Sequence, residues 1–209
     1  MWLNYRVEDV CTIEAFEKNP AFVHGFYNEL RPIMMKAEPN KAHQAITELQ
    51  NALPDININV VTQNVDLLHE KAGSKNIYHI HGRIDECICL NCGHVITTLS
   101  DVEGDETCPQ CQVAGMLKPH IVFFGEMPLY MTEVDKMLAE CDMFIAIGTS
   151  GIVYPAAGFV RQAKWHGAQT YLFNLEPCNN STAFDKEILG KASQTFPKFA
   201  EQLIEQLRY

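Results

Sequence analysis

The sequence predicts an α/β fold, a parallel sheet with helices on both faces, interrupted by a small four-cysteine zinc module. Two observations carry this expectation. Short apolar runs that stop at glycine or at polar residues alternate with stretches of helical periodicity, the pattern of parallel strands joined by helical crossovers. Within that rhythm stand Cys89-x2-Cys92 and Cys108-x2-Cys111, separated by fifteen residues. That is the spacing of a tetrahedral zinc site in which each knuckle supplies two thiolates.

The first forty residues read as helix and loop. Asn19 and Pro20 start a helix carrying Phe22, Val23, Phe26, Tyr27 and Leu30, and Pro32 is expected to end it. Pro39-Asn40 opens a second helix with Ala42, Ile46, Leu49 and Leu53 on one face, closed by Pro54-Asp55. A strand over Ile56 to Val61 then runs into the polar Thr62-Gln63-Asn64-Val65-Asp66, and strand ends of this kind are where open α/β sheets hold ligands. A short strand, Ile77 to Ile80, leads to His81-Gly82.

Residues 83–118 interrupt the alternation and read as the inserted zinc-binding domain, with 43–82 and 119–209 forming the sheet domain. The runs Ile121-Val122-Phe123-Phe124, stopping at Gly125, and Met143 to Ile147, stopping at Gly148, read as buried strands. Between them a helix presents Val134, Met137, Leu138 and Cys141 on one face. Pro155 and Gly167 bracket another helix, with Phe159, Val160 and Ala163 inward. Thr170 to Asn174 is a further strand, and a final helix from Pro197 buries Phe199, Leu203 and Leu207.

With 209 residues, 47% of them hydrophobic, the chain can bury a sizeable core. Its net charge of -10 argues against a general nucleic-acid binder, which needs a basic stripe to meet phosphates. No window of about eighteen apolar residues suits a membrane span. The start, Met1-Trp2-Leu3-Asn4-Tyr5-Arg6, lacks a signal peptide's apolar core, so a cytoplasmic, reducing compartment is expected, one that keeps thiolates free for zinc. Cys11, Cys87, Cys141 and Cys178 show no second paired spacing and are expected as small buried side chains, with Cys87 also near enough to the first knuckle to be a spare ligand. Four thiolates close the metal's coordination, so the zinc is structural and the chemistry lies elsewhere.

His81, after a short strand and before a glycine, can project an imidazole into a cleft, where a pKa of about 6.5 suits general-base work. A hydrogen-bonded structural histidine is the competing account, and it is the one preferred for His69, His79 and His120. Gln63, Asn64 and Asp66 place amides and a carboxylate at a strand end, able to hold a carboxamide and a ribose or to cap the next helix. Gly148-Thr149-Ser150 ends a strand with a small residue and two hydroxyls, suited to a dinucleotide's approach or to a plain loop.

In order along the chain, Thr62-Gln63-Asn64-Val65-Asp66, His81-Gly82, the cysteine pairs, Pro119-His120-Ile121-Val122-Phe123-Phe124-Gly125-Glu126, Gly148-Thr149-Ser150 and Asn174-Leu175-Glu176 resemble the sirtuins, NAD-dependent protein lysine deacylases. The stretches Phe124 to Pro128 and Val153 to Gly158 look most like bacterial sirtuins of the class related to desuccinylases. The resemblance implies a Rossmann-like NAD-binding sheet, one structural zinc, and transfer of an acyl group from lysine to ADP-ribose with release of nicotinamide. It implies that His81 is the base that deprotonates a ribose hydroxyl, with Asn64 and Asp66 orienting the nicotinamide ribose and carboxamide and Gln63 on the ribose. Val65, Gly148, Thr149, Ser150, Asn174, Leu175, Glu176 and Ala192 are implied on the cofactor. The acyl-lysine peptide is implied as a strand between Gly125-Glu126 and Gly151 to Val153, with Val122 and Phe123 lining the lysine tunnel or serving as plain core.

Two departures bear on function. Desuccinylating members carry Tyr-x-x-Arg, whereas Tyr27 is followed three residues on by Leu30, with Arg31 about 100° further round a helix. An uncharged acyl-lysine, acetyl-lysine above all, is therefore expected over succinyl-lysine. The family's opening strand and Gly-Ala-Gly-x-Ser turn, which cradle the NAD pyrophosphate, have no counterpart, and residues 1–42 match only from the remnant of the following cofactor-binding loop. A central strand is thus expected to be missing, with apolar edges left on its neighbours. A fragment of a longer deacylase and a non-catalytic zinc module that binds acyl-lysine proteins with impaired NAD binding both remain open, as does ADP-ribosyl transfer.

Overall fold

The computed structural model describes residues 5–149, 155–177 and 181–208. They divide into two units, one of Met1–Glu38, Val61–Leu68 and Ile77–Tyr130, the other of Pro39–Val60, His69–Asn76 and Met131–Tyr209.

In the first unit, helices α1 (Val7–Val10), α2 (Ile13–Lys18) and α3 (Pro20–Lys36) follow one another through capped starts. The Thr12 hydroxyl accepts from the Ala15 N–H, and the Asn19 side chain accepts from the Phe22 N–H at 3.1 Å, each meeting a donor that the first helical turn leaves unpaired. The expected stop at Pro32 does not occur, and α3 runs four residues beyond it. Met34, two residues past it and half-buried, packs against the same core as Val23, Phe26, Tyr27 and Leu30, a contact that offsets the proline's lost donor.

That core is closed by a three-stranded antiparallel sheet in the order β4-β3-β5, with β3 at Gly82–Cys89, β4 at Val95–Thr97 and β5 at Leu117–Ile121. The buried strand expected over 121–124 is not formed. The ladder reaches Gly82↔Ile121 and stops where β3 begins, after which the Phe123 N–H is taken by the Glu126 carboxylate and the Phe124 N–H by the Cys11 carbonyl. Phe124 is exposed. Strand β1 (Val60–Thr62) pairs with β2 (Ile77–His79) in a separate two-stranded sheet. It is shorter than the Ile56–Val61 expected, because Ile56 still belongs to the turn after the preceding helix, its N–H bonded to the Leu53 carbonyl.

The second unit holds the parallel sheet, β6 (Met143–Ile147), β7 (Gln169–Asn174) and β8 (Lys186–Leu189), in that order. Around it stand α4 (Lys41–Ala52), α6 (Met131–Glu140), α7 (Phe159–Trp165) and α8 (Ala192–Leu207), while α5 (Leu68–Ala72) follows the polar run after β1. Alternation along β7 shows why helices cover both faces. Tyr171 and Phe173 pack with Leu49 of α4 and Phe196 of α8, while Leu172 between them packs with Val160 of α7 and Phe184. The result is a Rossmann-like α/β fold.

Strand β6 was expected to be buried, yet each of its residues is half-buried, since among the described residues only β7 pairs with it. Helix α8 starts at Ala192 rather than Pro197, because Phe196, packed edge-on against Phe173 with centroids 5.3 Å apart, anchors the turn before the proline. Strand β8 has no signature in the sequence, since Lys186-Glu187-Ile188-Leu189 carries no apolar run and its partners are supplied by β7. Among the described residues, no helix is long and apolar enough to cross a membrane.

Candidate functional site

The cysteine quartet assembles as its spacing predicts. The Sγ atoms of Cys89, Cys92, Cys108 and Cys111 all lie within 4.8 Å of one another, with Cys89–Cys111 and Cys92–Cys108 each at 3.7 Å. A tetrahedron with Zn–S bonds of about 2.3 Å has sulfur–sulfur edges of about 3.8 Å, so the quartet is compatible with a structural zinc. Both knuckles turn through the left-handed region, at Gly93 (φ 72°) and at Gln112 (φ 60°). The non-glycine pays a steric cost there, and its side chain returns a hydrogen bond to the Pro109 carbonyl. The thiols share protons unequally: a Val113 backbone bond, then the Asn91 side chain, pulls Cys111 down to about 6, while against a His94 backbone bond the loss of water and the other three thiols together push Cys92 up to about 12. Cys87 is fully buried outside the quartet, and burial pushes its thiol up to about 11, so it behaves as core rather than as a spare ligand.

In the first unit, the polar run after β1 is tightly organised. The Thr62 hydroxyl accepts from the Asn64 N–H, and the Asp66 carboxylate accepts from the Leu68 N–H, capping α5. The Val65 carbonyl accepts from the Ile84 N–H, and the Asn64 carbonyl bonds the ring of His79 at 3.0 Å. Capping does not consume the run: Asn64 is exposed, and Gln63, Val65 and Asp66 are half-buried. His81 is half-buried beside them. Burial lowers its pKa, opposed by a hydrogen bond to the Gln63 backbone, so at neutral pH it carries an unprotonated, oriented ring. His69, His79 and His120 are otherwise employed. His120 bonds the Glu86 carboxylate at 2.8 Å, and His69 meets the His43 ring edge-on.

The loop after β5 is fixed to this histidine, the Val122 N–H donating to the His81 carbonyl at 3.0 Å. Val122 is half-buried, whereas Phe123 lies wholly in the core, stacked on Tyr27 with centroids 6.1 Å apart. Gly125 has φ 89° at the open tip, and Glu126 turns back. Tyr27 is buried; burial, followed by the neighbouring Cys11 thiol, pushes its hydroxyl far above the usual range. Arg31 is only 2% exposed, and its guanidinium donates to the Ile84 carbonyl (3.1 Å), the Ser100 carbonyl (3.0 Å) and Asn28 Oδ1 (3.1 Å).

In the second unit, the carboxyl ends of β6 and β7 are joined to one another. The Gly148 N–H donates to the Phe173 carbonyl at 2.8 Å and the Asn174 amide to the Thr149 carbonyl at 2.8 Å. Gly148 has φ 65°, and among the described residues nothing lies within 4 Å of where a Cβ would stand, which suits the approach of a ligand backbone or phosphate. Leu175 and Glu176 are exposed, and Ala192 is half-buried at the first turn of α8. These donors and acceptors suit the hydroxyls of a dinucleotide. Ser150, Gly151, Val153 and Cys178, the last expected as a small buried side chain, lie outside the described residues.

Sequence reasoning passed over Lys118, which is buried and bonded to Glu126, and placed in a buried strand the Phe124 that is exposed. A lysine between Leu117 and Pro119 at the start of an apolar stretch was the available signal for the first.

Residues 1–155 match the Sir2 family. The chain is 47% identical to the NAD-dependent protein deacylase SIR2rp3 of Leishmania major over 210 residues, 99% of this chain and 86% of that one. It is also 47% identical over 210 residues to an NAD-dependent protein deacylase of Escherichia coli strain K12, covering all of this chain and 75% of that one. Among solved structures, a Sir2 homolog–NAD complex superposes with a TM-score of 0.88 at 30% identity, over 99% of this chain and 81% of the other.

Proposed function

The chain belongs to the Sir2 family, and from that premise we propose that it is an NAD-dependent protein lysine deacylase, passing an acyl group from lysine to ADP-ribose as nicotinamide leaves. The observation that carries this reading is His81: half-buried, held by the Gln63 backbone and kept unprotonated by burial, beside an exposed Asn64 and a half-buried Asp66. NAD supplies the electrophilic ribose carbon and its leaving group. His81 takes the proton of a ribose hydroxyl, and its low pKa keeps it ready to do so at neutral pH. Asn64 and Asp66 orient the ribose and carboxamide, with Gln63 and Val65 beside them. Gly148, Thr149, Ser150, Asn174, Leu175, Glu176 and Ala192 are assigned to the remainder of the dinucleotide.

The protein substrate is assigned to Gly125-Glu126 and Gly151 to Val153 as an added strand, a mode in which backbone pairing gives affinity with little sequence preference. We further propose acetyl-lysine over succinyl-lysine. Leu30 offers no charge where a carboxylate grip would need one, and the Arg31 guanidinium is committed to two carbonyls and an amide oxygen. One zinc on the cysteine quartet clips the module of residues 83–118, and reduced thiolates suit a cytoplasmic setting.

Nicotinamide release from NAD, followed with and without an acetyl-lysine peptide, tests the reaction. Peptide-dependent release supports it. Peptide binding with no release would make the chain an acyl-lysine-binding module instead, and label from NAD appearing on protein would make it an ADP-ribosyl transferase.

A further inference from the structure

Lys118 is 3% exposed, within β5 between Leu117 and Pro119. Taking an ammonium group out of water costs several kcal/mol, and an apolar side chain of similar volume would fill the space without that cost. What the ammonium adds is a joint. Its Nζ donates to the Ile121 carbonyl at 2.7 Å and to Glu126 Oε2 at 2.9 Å, and the same Oε2 accepts the Phe123 N–H at 2.6 Å. The ring of Phe123 lies 3.9 Å from Nζ, adding a cation–π contact. One buried group thus ties the start, middle and end of the 121–126 turn, while Phe124 is 65% exposed and Gly125 stays open at the tip.

Resting on the deacylase reading, in which Gly125 and Glu126 receive the peptide, we propose that Lys118 is a positioning residue for the acyl-lysine substrate, holding the 121–126 turn in its peptide-receiving shape. It does not touch the substrate; it acts through Glu126 and the backbone of Ile121. Its loss therefore weakens peptide binding selectively, since its hydrogen bonds among the described residues go to Ile121 and Glu126 of the turn.

Steady-state kinetics on the full chain, with an acetyl-lysine peptide and NAD varied separately, and peptide Kd by fluorescence anisotropy, test this in Lys118→Met and Lys118→Arg. Lys118→Met is expected to raise peptide KM and Kd about ten-fold with NAD KM within about two-fold, and Lys118→Arg to return peptide KM to within about three-fold of the parent. A purely structural lysine would lower the melting temperature and shift both KM values together, or leave peptide KM unchanged; either result overturns the proposal. If Lys118→Met does not fold, Lys118→Gln, a neutral side chain that leaves Glu126 and its bond from the Phe123 N–H in place, is read in the same way. If the parent chain releases no nicotinamide, the deacylase reading fails on its own, and an unchanged peptide Kd in the variant would separately overturn the role of Lys118.

Discussion

The backbone of Gly82 runs so close to that of His120 that a Cβ at residue 82 would overlap the His120 carbonyl oxygen. Gly82 also has φ 83°, so both close approach and backbone conformation demand glycine at this point. The glycine next to His81 is what lets β3 and β5 meet at Gly82↔Ile121 and what holds Val122 against the His81 carbonyl. Gly82→Ala is expected to destabilise the fold by about 2–3 kcal/mol and to lower deacylation even where the protein stays folded. Denaturant melts and nicotinamide release check this; full activity in the variant would contradict it.

His81 works as a base only when unprotonated, and burial holds its pKa below the usual 6.5. Lowering the pH through that depressed value protonates it, so the acid limb of kcat/KM is expected to fall below about pH 6.5 while activity at pH 7 to 8 stays flat in this group. His81→Ala should lose about a hundred- to ten-thousand-fold in kcat with the melting temperature preserved. An acid limb centred above pH 7 would point to another base.

Arg31 and Leu30 divide the question of acyl choice. Because the Arg31 guanidinium supports the Ile84 and Ser100 carbonyls, Arg31→Leu is expected to cost about 2–4 kcal/mol of stability. The ratio of acetyl to succinyl turnover should stay the same. A selective loss of succinyl turnover in this variant would show that Arg31 does read the acyl carboxylate.

The Asn174 amide links β7 to the loop after β6 through the Thr149 carbonyl. Asn174→Ala is expected to raise NAD KM about five- to twenty-fold while leaving peptide KM within about two-fold. Equal changes in both would mean that this bond serves the sheet rather than the dinucleotide.

Much of this was legible in the residues themselves. Cys-x2-Cys spacing is local, so the quartet could be written down from sequence, as could the capped starts at Asn19 and Asn40 and the alternation that makes β6, α7 and β7. His81 and the Gln63–Asp66 run were marked by lying at strand ends. What was not legible depends on distant partners. Strand β8 is polar and exists because β7 offers an edge, Pro32 is passed because Met34 reaches the core, and Phe124 turns outward because its N–H is held by Cys11. Arg31 looked like a misplaced ligand for an acyl group, yet its partners, 53 and 69 residues away, make it a support for the chain.

Quantitative mass spectrometry of a single reaction decides whether this chain removes acyl groups from lysine at the expense of NAD. Zinc-loaded protein incubated with NAD and an acetyl-lysine peptide is predicted to yield free peptide, nicotinamide and acetyl-ADP-ribose in equal amounts, with none of the three in His81→Ala. Intact acetyl-peptide alongside unconsumed NAD, from protein that is folded and holds its zinc, would show that the chain is no deacylase.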